Sequence, residues 1–563
     1  MAGNYRVGIG ISEVTDPAIG LQMMGFADAR QKTTGVETPL FSRAFIIEDQ
    51  SAGKRVVFVS AEILSGTDAV KREVVKRLQQ EFRTFYANDN VLISGTHTHS
   101  APAGYSGYKL YNLTGKGFDP HTFECIVTGI VASIKDAHNN LEPGNIYVAK
   151  GVVENCGLNR SILAYNNNPK AERDQYPAAT DKEMLLLKFT SQDNSGNNQP
   201  IGVLSWFAIH PTDRGQKNTQ VGGDNKGFAS FLFEHAMPPP LVARRSRGFV
   251  AAFANANCGD VSGNVEYGRI PNGIDDVDHM ERHARIEYRM AKQLLESASE
   301  ELSGSIDYRH TYVDMENVAV TGSYPNAGAT FRGAVGLSFA AGSTEDSVPY
   351  VEILGVGMEL PSREGITEQN KTPGESDIQK LGAWVGSVFE GIPLDESVDT
   401  IAGHLPKPIL FATGKGGVTP KILPLQILRI GQLVIVGVPA EITTMAGRRL
   451  RATVLSELGS IGVKHLAIAA YANEYSEYIT TKEEYDMQHY EGASTLFGPR
   501  TLLAYQQEFG KLAIALRKGD PVNPGPTPPV ASPPTAHRWT FLNLSERDIT
   551  LYFGLVYRGE IKR

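Results

Sequence analysis

Short apolar runs alternate along this chain with longer segments of helical periodicity. Phe45-Ile46-Ile47 and Val56-Val57-Phe58-Val59 are rich in β-branched and aromatic residues and predict strands. Residues 67–84 and 121–139 repeat apolar and charged positions at helical spacing and predict helices. Val91-Leu92-Ile93 predicts another short buried strand. The middle of the chain repeats the pattern, with strands predicted at 183–190, 201–209 and 249–254 and helices at 225–236 and 277–302. Residues 422–438 predict two paired strands joined by Gly431-Gln432. Pro439 then predicts the opening of a helix at about 440–458, because proline suits a first helical turn. This rhythm predicts an α/β protein, a large mixed α/β domain over residues 1–520.

The pattern breaks near the C-terminus. Seven prolines between 521 and 534 predict an extended linker over 521–536. Residues 537–563 follow, with strand-like Trp539-Thr540-Phe541-Leu542 and Thr550-Leu551-Tyr552-Phe553. So short a β-rich segment is too small for a core of its own.

Charge and composition narrow the function. With 54 basic and 62 acidic residues the net charge is −8, which argues against sequence-independent nucleic-acid binding. The basic cluster Arg244, Arg245 and Arg247 reads as solvated surface. No apolar run approaches the ~18 residues of a transmembrane helix. Arg6 leads directly into strand-like residues 7–11 with no signal-peptide core. A removed leader would imply secretion or a membrane-surface location, and a native start here the cytoplasm. Cys125, Cys156 and Cys258 are too few for a disulfide framework and read as buried thiols.

Several segments carry candidate chemistry. Ser94-Gly95-Thr96-His97-Thr98-His99-Ser100 follows the strand at 91–93, so His97 and His99 project together where ligands gather in α/β folds. Imidazole there suits zinc. His210 likewise ends the apolar strand 201–209. His279 and His283 share a helix face, but the charged residues around them predict a solvated surface rather than a metal site. The loop 255–264 is small and polar. Its Ser262 is a candidate nucleophile or substrate-binding group, although Asp260 replaces the first glycine of a G-x-S-x-G elbow. Glu441 is expected in a first helical turn, where the helix dipole favours a carboxylate. The segment 471–492 is dense in tyrosines and reads either as a packed aromatic surface or as a site lined with phenols.

Together these segments resemble the neutral (non-lysosomal) ceramidase family over roughly residues 5–520, in colinear order. The strings that carry the resemblance are Met23-Met24-Gly25-Phe26-Ala27-Asp28, Gly95-Thr96-His97-Thr98-His99-Ser100, Asn159-Arg160-Ser161, Asp224-Asn225-Lys226-Gly227, Gly259-Asp260-Val261-Ser262, Pro406-Lys407-Pro408-Ile409-Leu410 and the block from Tyr478 to Tyr490-Glu491-Gly492-Ala493-Ser494-Thr495-Leu496-Phe497-Gly498-Pro499. The resemblance implies one Zn2+ per chain, held by His97, His210, Glu441 and Tyr478. It implies His99, Arg160 and Tyr490 at the reaction centre and Ser262 on the substrate's primary hydroxyl. The implied reaction is hydrolysis of the ceramide amide to sphingosine and a fatty acid, with a membrane surface as the source of substrate. A deacylase for another N-acyl lipid, a serine hydrolase using Ser262 and a non-catalytic lipid-binding descendant are the alternatives.

The chain also departs from the family pattern. Gly263 stands where the family usually has proline, and Arg332, Ala402 and His404 lie in regions where members often carry cysteine. The resemblance implies that the short β-rich segment 537–563 is a remnant of the family's C-terminal immunoglobulin-like domain.

Overall fold

A computed structural model describes residues 5–529 apart from positions 29, 113–116, 193–196, 238–247, 264–275, 322–327, 344–349, 354–355, 360–363, 377, 381, 383–397 and 415. The arginine cluster at 244–247 and the strand-like segments at 539–542 and 550–553 lie outside the described residues.

The N-terminal rhythm resolves into strands β1 (Tyr5–Glu13), β2 (Phe41–Asp49), β3 (Lys54–Ala61), β4 (Val91–Gly95), β5 (Glu142–Val152), β6 (Glu183–Gln192), β7 (Asn198–Phe207) and β8 (Val250–Asn255). They form one sheet in the order β8-β7-β6-β5-β1-β2-β3-β4, with Glu300–Glu301 added beside β5. Pairing is antiparallel except at the two ends, where β3–β4 and β7–β8 run parallel. A parallel pair needs a crossover. Helix α1 (Asp68–Phe82) supplies the first. Helix α2 (Pro120–Asn139) lies against β1 and β2, and α3 (Asp224–Ala236) supplies the second crossover. The helix starts follow local chemistry: Thr67 accepts from Val70 N, and Asp119 accepts from His121 N and Thr122 N ahead of Pro120.

The sheet curls until its two edge strands, β4 and β8, meet. Asn255, at the end of β8, donates Nδ2 to Thr96 O (3.2 Å) and to Ile209 O (2.9 Å). One amide thus clamps the loops that carry His97 and His210, which the sheet order alone would set far apart.

Helix α4 (Asp276–Ser297) follows, and a second sheet then forms from β9 (Ile306–Asp314), β10 (Ile422–Ile430), β11 (Leu433–Gly437) and β12 (His465–Ala469), in that order. The predicted hairpin at Gly431-Gln432 is present. Helix α5 (Thr444–Leu458) crosses between β11 and β12, which pair in parallel. This helix begins later than Pro439 predicts. Residues 441–442 instead form a short strand beside Tyr478–Ile479, held by Glu441 N to Glu477 O (2.8 Å) and Thr443 N to Ile479 O (3.0 Å). Tertiary pairing overrides the local helix signal, and Glu441 is therefore not in a helical turn.

The last described helix is α6 (Thr501–Lys518). Residues 521–529, the described part of the proline-rich segment, lie against the body of the fold. Tyr312 N donates to Pro524 O (2.9 Å), Thr311 Oγ1 to Asn523 O (2.9 Å) and Arg72 to Pro528 O (3.2 Å). Cys156 and Cys258 are buried thiols as expected, whereas Cys125 on α2 is only half-buried.

Candidate active site

His97 and His210 reach one point from opposite ends of the curled sheet. His97 sits just past β4 with φ +77°, a left-handed turn that aims its ring inward, and the ring stacks on Tyr471 at 3.9 Å between centroids. Its Nδ1 meets Leu64 O at 3.1 Å. His210 Nδ1 meets Val261 O at 2.9 Å. A carbonyl oxygen only accepts, so both Nδ1 atoms carry a proton, and each ring turns its Nε2 inward.

Those nitrogens face a carboxylate. His97 Nε2 lies 3.3 Å from Glu441 Oε1, and His210 Nε2 lies 2.9 Å from Glu441 Oε2. His99 Nε2 approaches His97 Nε2 at 3.2 Å. Burial, followed by the Arg160 charge, pushes the His210 imidazole down to about 4. Burial also holds His99 well below the usual histidine range, helped by His97 and His210. Burial opposes ionisation of Glu441, but His97 and His210 outweigh it and keep the carboxyl well below the carboxylate range. Imidazole nitrogens and a carboxylate converging at such distances fit a cation among them. The donor set, two imidazoles and a carboxylate fully enclosed, suits zinc.

Glu441 is held in turn by two phenols. Tyr475 and Tyr471 both donate to it, the second at 3.3 Å. Tyr478 lies alongside through the strand pairing of Glu441 with Tyr478. Burial pushes its phenol well above the usual range, opposed by the Arg160 charge. Arg160 Nη2 donates to Tyr478 Oη at 2.8 Å and to Gly259 O at 2.9 Å, while its Nε donates to Glu491 at 2.8 Å. Tyr490 packs edge-on to Tyr478 at 5.3 Å. His97, His210, Glu441, Tyr478, His99, Arg160 and Tyr490 therefore share one centre.

The string Met23–Asp28 has a visible task beside His99. Phe26 packs edge-on to the His99 ring at 4.6 Å. Gly25 has φ +124°, and a Cβ there would stand 2.4 Å from the ring, so only glycine lets the segment close over it. Ser262 is buried next to this centre, bridged through its backbone to His210. The nearby His210 ring has both nitrogens engaged, by Val261 O and by Glu441, and is not available as a base for a serine nucleophile.

Comparison with known proteins agrees with this geometry. The family model for neutral/alkaline non-lysosomal ceramidase (N-terminal) matches residues 5–507. The chain belongs to the neutral/alkaline non-lysosomal ceramidase family. It is 36% identical to neutral ceramidase 1 of Arabidopsis thaliana over 625 residues, covering 93% of this chain and 77% of that protein. It is 37% identical to the neutral ceramidase of Pseudomonas aeruginosa over 526 residues, covering 92% and 73%. A solved ceramidase complexed with C2 superposes with a TM-score of 0.80 at 33% identity, over 94% of this chain and 78% of that one.

Three features of this ceramidase-family site were hidden from sequence reasoning. Tyr471 and Tyr475 were visible only as members of a tyrosine-dense segment. Glu491, which receives Arg160 and the hydroxyl of Ser161, had no local signal. Nor did Asp260, which accepts from Thr444 N and Asn159 Nδ2. The helix bearing His279 and His283 corrects an expectation. Both rings are buried, at 2% and 0% side-chain exposure, and face Asp213 instead of solvent.

Proposed function

We propose that this protein is a zinc-dependent ceramidase, hydrolysing the N-acyl amide of ceramide to sphingosine and a free fatty acid. The observation that carries the reading is the convergence of His97 Nε2, His210 Nε2 and both Glu441 oxygens, within 2.9–3.3 Å, in a chain of this family. His97, His210, Glu441 and Tyr478 would hold the ion. A bound Zn2+ supplies Lewis acidity and brings the pKa of a coordinated water from ~15.7 towards ~7.

The remaining steps belong to the chain's own side chains. His99, kept neutral by burial, accepts the proton of the attacking water at Nε2. The same proton goes to the leaving nitrogen as the C–N bond breaks, so that the acyl carbon keeps the oxygen and the amine keeps the hydrogen. Arg160 and Tyr490 place a positive charge and a hydroxyl where the carbonyl oxygen gathers negative charge. Arg160 also supports the anionic form of Tyr478 through its 2.8 Å hydrogen bond. Ser262 holds the primary hydroxyl of the sphingoid base.

Leu158, Ile162 and Leu163 flank Arg160 in sequence and are 44%, 43% and 61% exposed. An apolar rim beside a site for a lipid suits contact with the membrane surface that contains it. None of the described helices is long and apolar enough to cross a membrane.

The test is product analysis. Purified protein given ceramide in H2(18)O should release sphingosine and fatty acid in equal amounts, with one heavy oxygen in the acid. Turnover of a different N-acyl lipid, with ceramide untouched, would replace this substrate assignment.

A further inference from the structure

A second enclosed cluster of metal-ligating side chains lies outside the centre just described. His279 and His283 stand one turn apart on α4, with ring centroids 4.8 Å from each other. Each turns its Nδ1 to a different oxygen of one carboxylate. His283 Nδ1 is 3.0 Å from Asp213 Oδ2, and His279 Nδ1 is 3.3 Å from Asp213 Oδ1. The ligand atoms of all three residues fall within 4.8 Å of one another, and all three residues are buried.

Two further observations bear on what fills this space. Asp213 Oδ1 is buried without an aligned hydrogen-bond donor. Gly263 lies directly against it: a Cβ there would be 2.2 Å from Asp213 Oδ1 and 2.9 Å from the His283 ring. The absence of a side chain at 263 keeps this approach to the cluster clear. By contrast, the cluster of Asp16, His121 and Cys125 has His121 68% exposed and does not enclose an ion.

Two histidines at i and i+4 with one carboxylate make a nitrogen-rich set for a first-row divalent cation, and a poor one for calcium or magnesium. We propose that Asp213, His279 and His283 bind a second divalent transition-metal ion, zinc being the best match, which fastens α4 to the loop carrying His210. Asn225 makes the link concrete, donating Nδ2 both to His210 O (3.0 Å) and to Asp213 Oδ2 (2.9 Å). An ion at Asp213 thereby fixes the backbone that positions His210. The three protein donors leave a coordination position for water.

The test is titration of metal-stripped, full-length protein with Co2+, read by its visible absorption. Wild type, His97→Ala, His283→Ala and the double variant are compared, with folding checked by circular dichroism. The proposal predicts two equivalents in wild type, one in each single variant and no saturable uptake in the double. One equivalent in wild type that disappears in His97→Ala overturns the second site and leaves the proposed ceramidase centre standing. One equivalent that survives His97→Ala but disappears in His283→Ala supports the second site and counts against the first. Should His283→Ala fail to fold, Gly263→Ala provides the readout. It is expected to weaken the second equivalent by about 10-fold or more while sparing the first, and undiminished uptake of both contradicts the proposal.

Discussion

Glu441 and Tyr478 are neighbours in a two-residue parallel pairing that places a carboxylate and a phenol side by side at the candidate zinc centre. The pairing exists because residues 439–443 give up the start of a helix for tertiary hydrogen bonds to residues 477–479. Tyr478→Phe is expected to reduce ceramide turnover by about 100-fold or more while leaving the fold intact. Tyr475→Phe, which removes a hydrogen bond to Glu441 without removing a ligand, is expected to weaken zinc affinity by about 10–100-fold. Competition with a metal chelator measures the second effect. Equal affinity in wild type and Tyr475→Phe would show that the phenol does not position Glu441.

Arg160 and Glu491 form a buried ion pair at 2.8 Å, each side chain 3% exposed. Removing one partner strands the other charge. Arg160→Met is expected to cost about 3–5 kcal/mol in denaturant unfolding. The double variant Arg160→Met/Glu491→Met should recover much of that stability but none of the activity, because the donor to Tyr478 stays lost. Recovery of turnover in the double variant would remove Arg160 from the reaction centre.

Behind the site lie acids that burial makes hard to ionise. Burial lifts the Asp260 carboxyl to about 6, with Glu491 adding to the effect, and lifts Glu484 to about 7, with Asp260 adding. The folded state therefore holds protons that the unfolded chain, titrating near 4, has already released. The stabilising contribution of these groups is complete below about pH 4 and declines as pH rises through about 6 and 7. Glu484→Gln should flatten the fall in urea midpoint between pH 5 and pH 8. An unchanged slope would show that Glu484 does not carry this linkage.

Leu163, the most exposed of the apolar residues beside Arg160, offers a test of the membrane rim. Leu163→Glu should lower turnover of ceramide in vesicles several-fold and leave turnover of detergent-dispersed ceramide near the wild-type rate. Equal loss in both assays would mean that the substitution disturbs the site rather than docking.

The elements that local pattern controls were legible in the sequence. The hairpin at Gly431-Gln432 and the helices behind Thr67 and Asp119 have caps, turns and periodicity within a few residues. His97 and His210 were legible because each ends an apolar strand. What joins them was not. The curl that brings β4 to β8, and the Asn255 clamp between them, depend on pairings far apart in the chain. Pro439 is a strong local signal for a helix that would make Glu441 a helix-dipole carboxylate, and the strand partner that overrides it is distant in sequence. His279 and His283 sit among charges in sequence that favour a solvated helix face. Their inward turn is set by Asp213, a residue that nothing local connects to that helix. Tyr478 as a ligand came only from family resemblance.

The central claim is that His97 helps hold a metal ion that the reaction needs. Metal content and ceramide turnover measured on wild type and His97→Ala, each before and after chelation, test it most directly. The account predicts one zinc fewer per chain in His97→Ala than in wild type, no turnover in the variant, and wild-type turnover lost to the chelator and restored by Zn2+. Equal metal content in the two proteins, with turnover indifferent to chelator, would contradict it and return the reaction to metal-free chemistry.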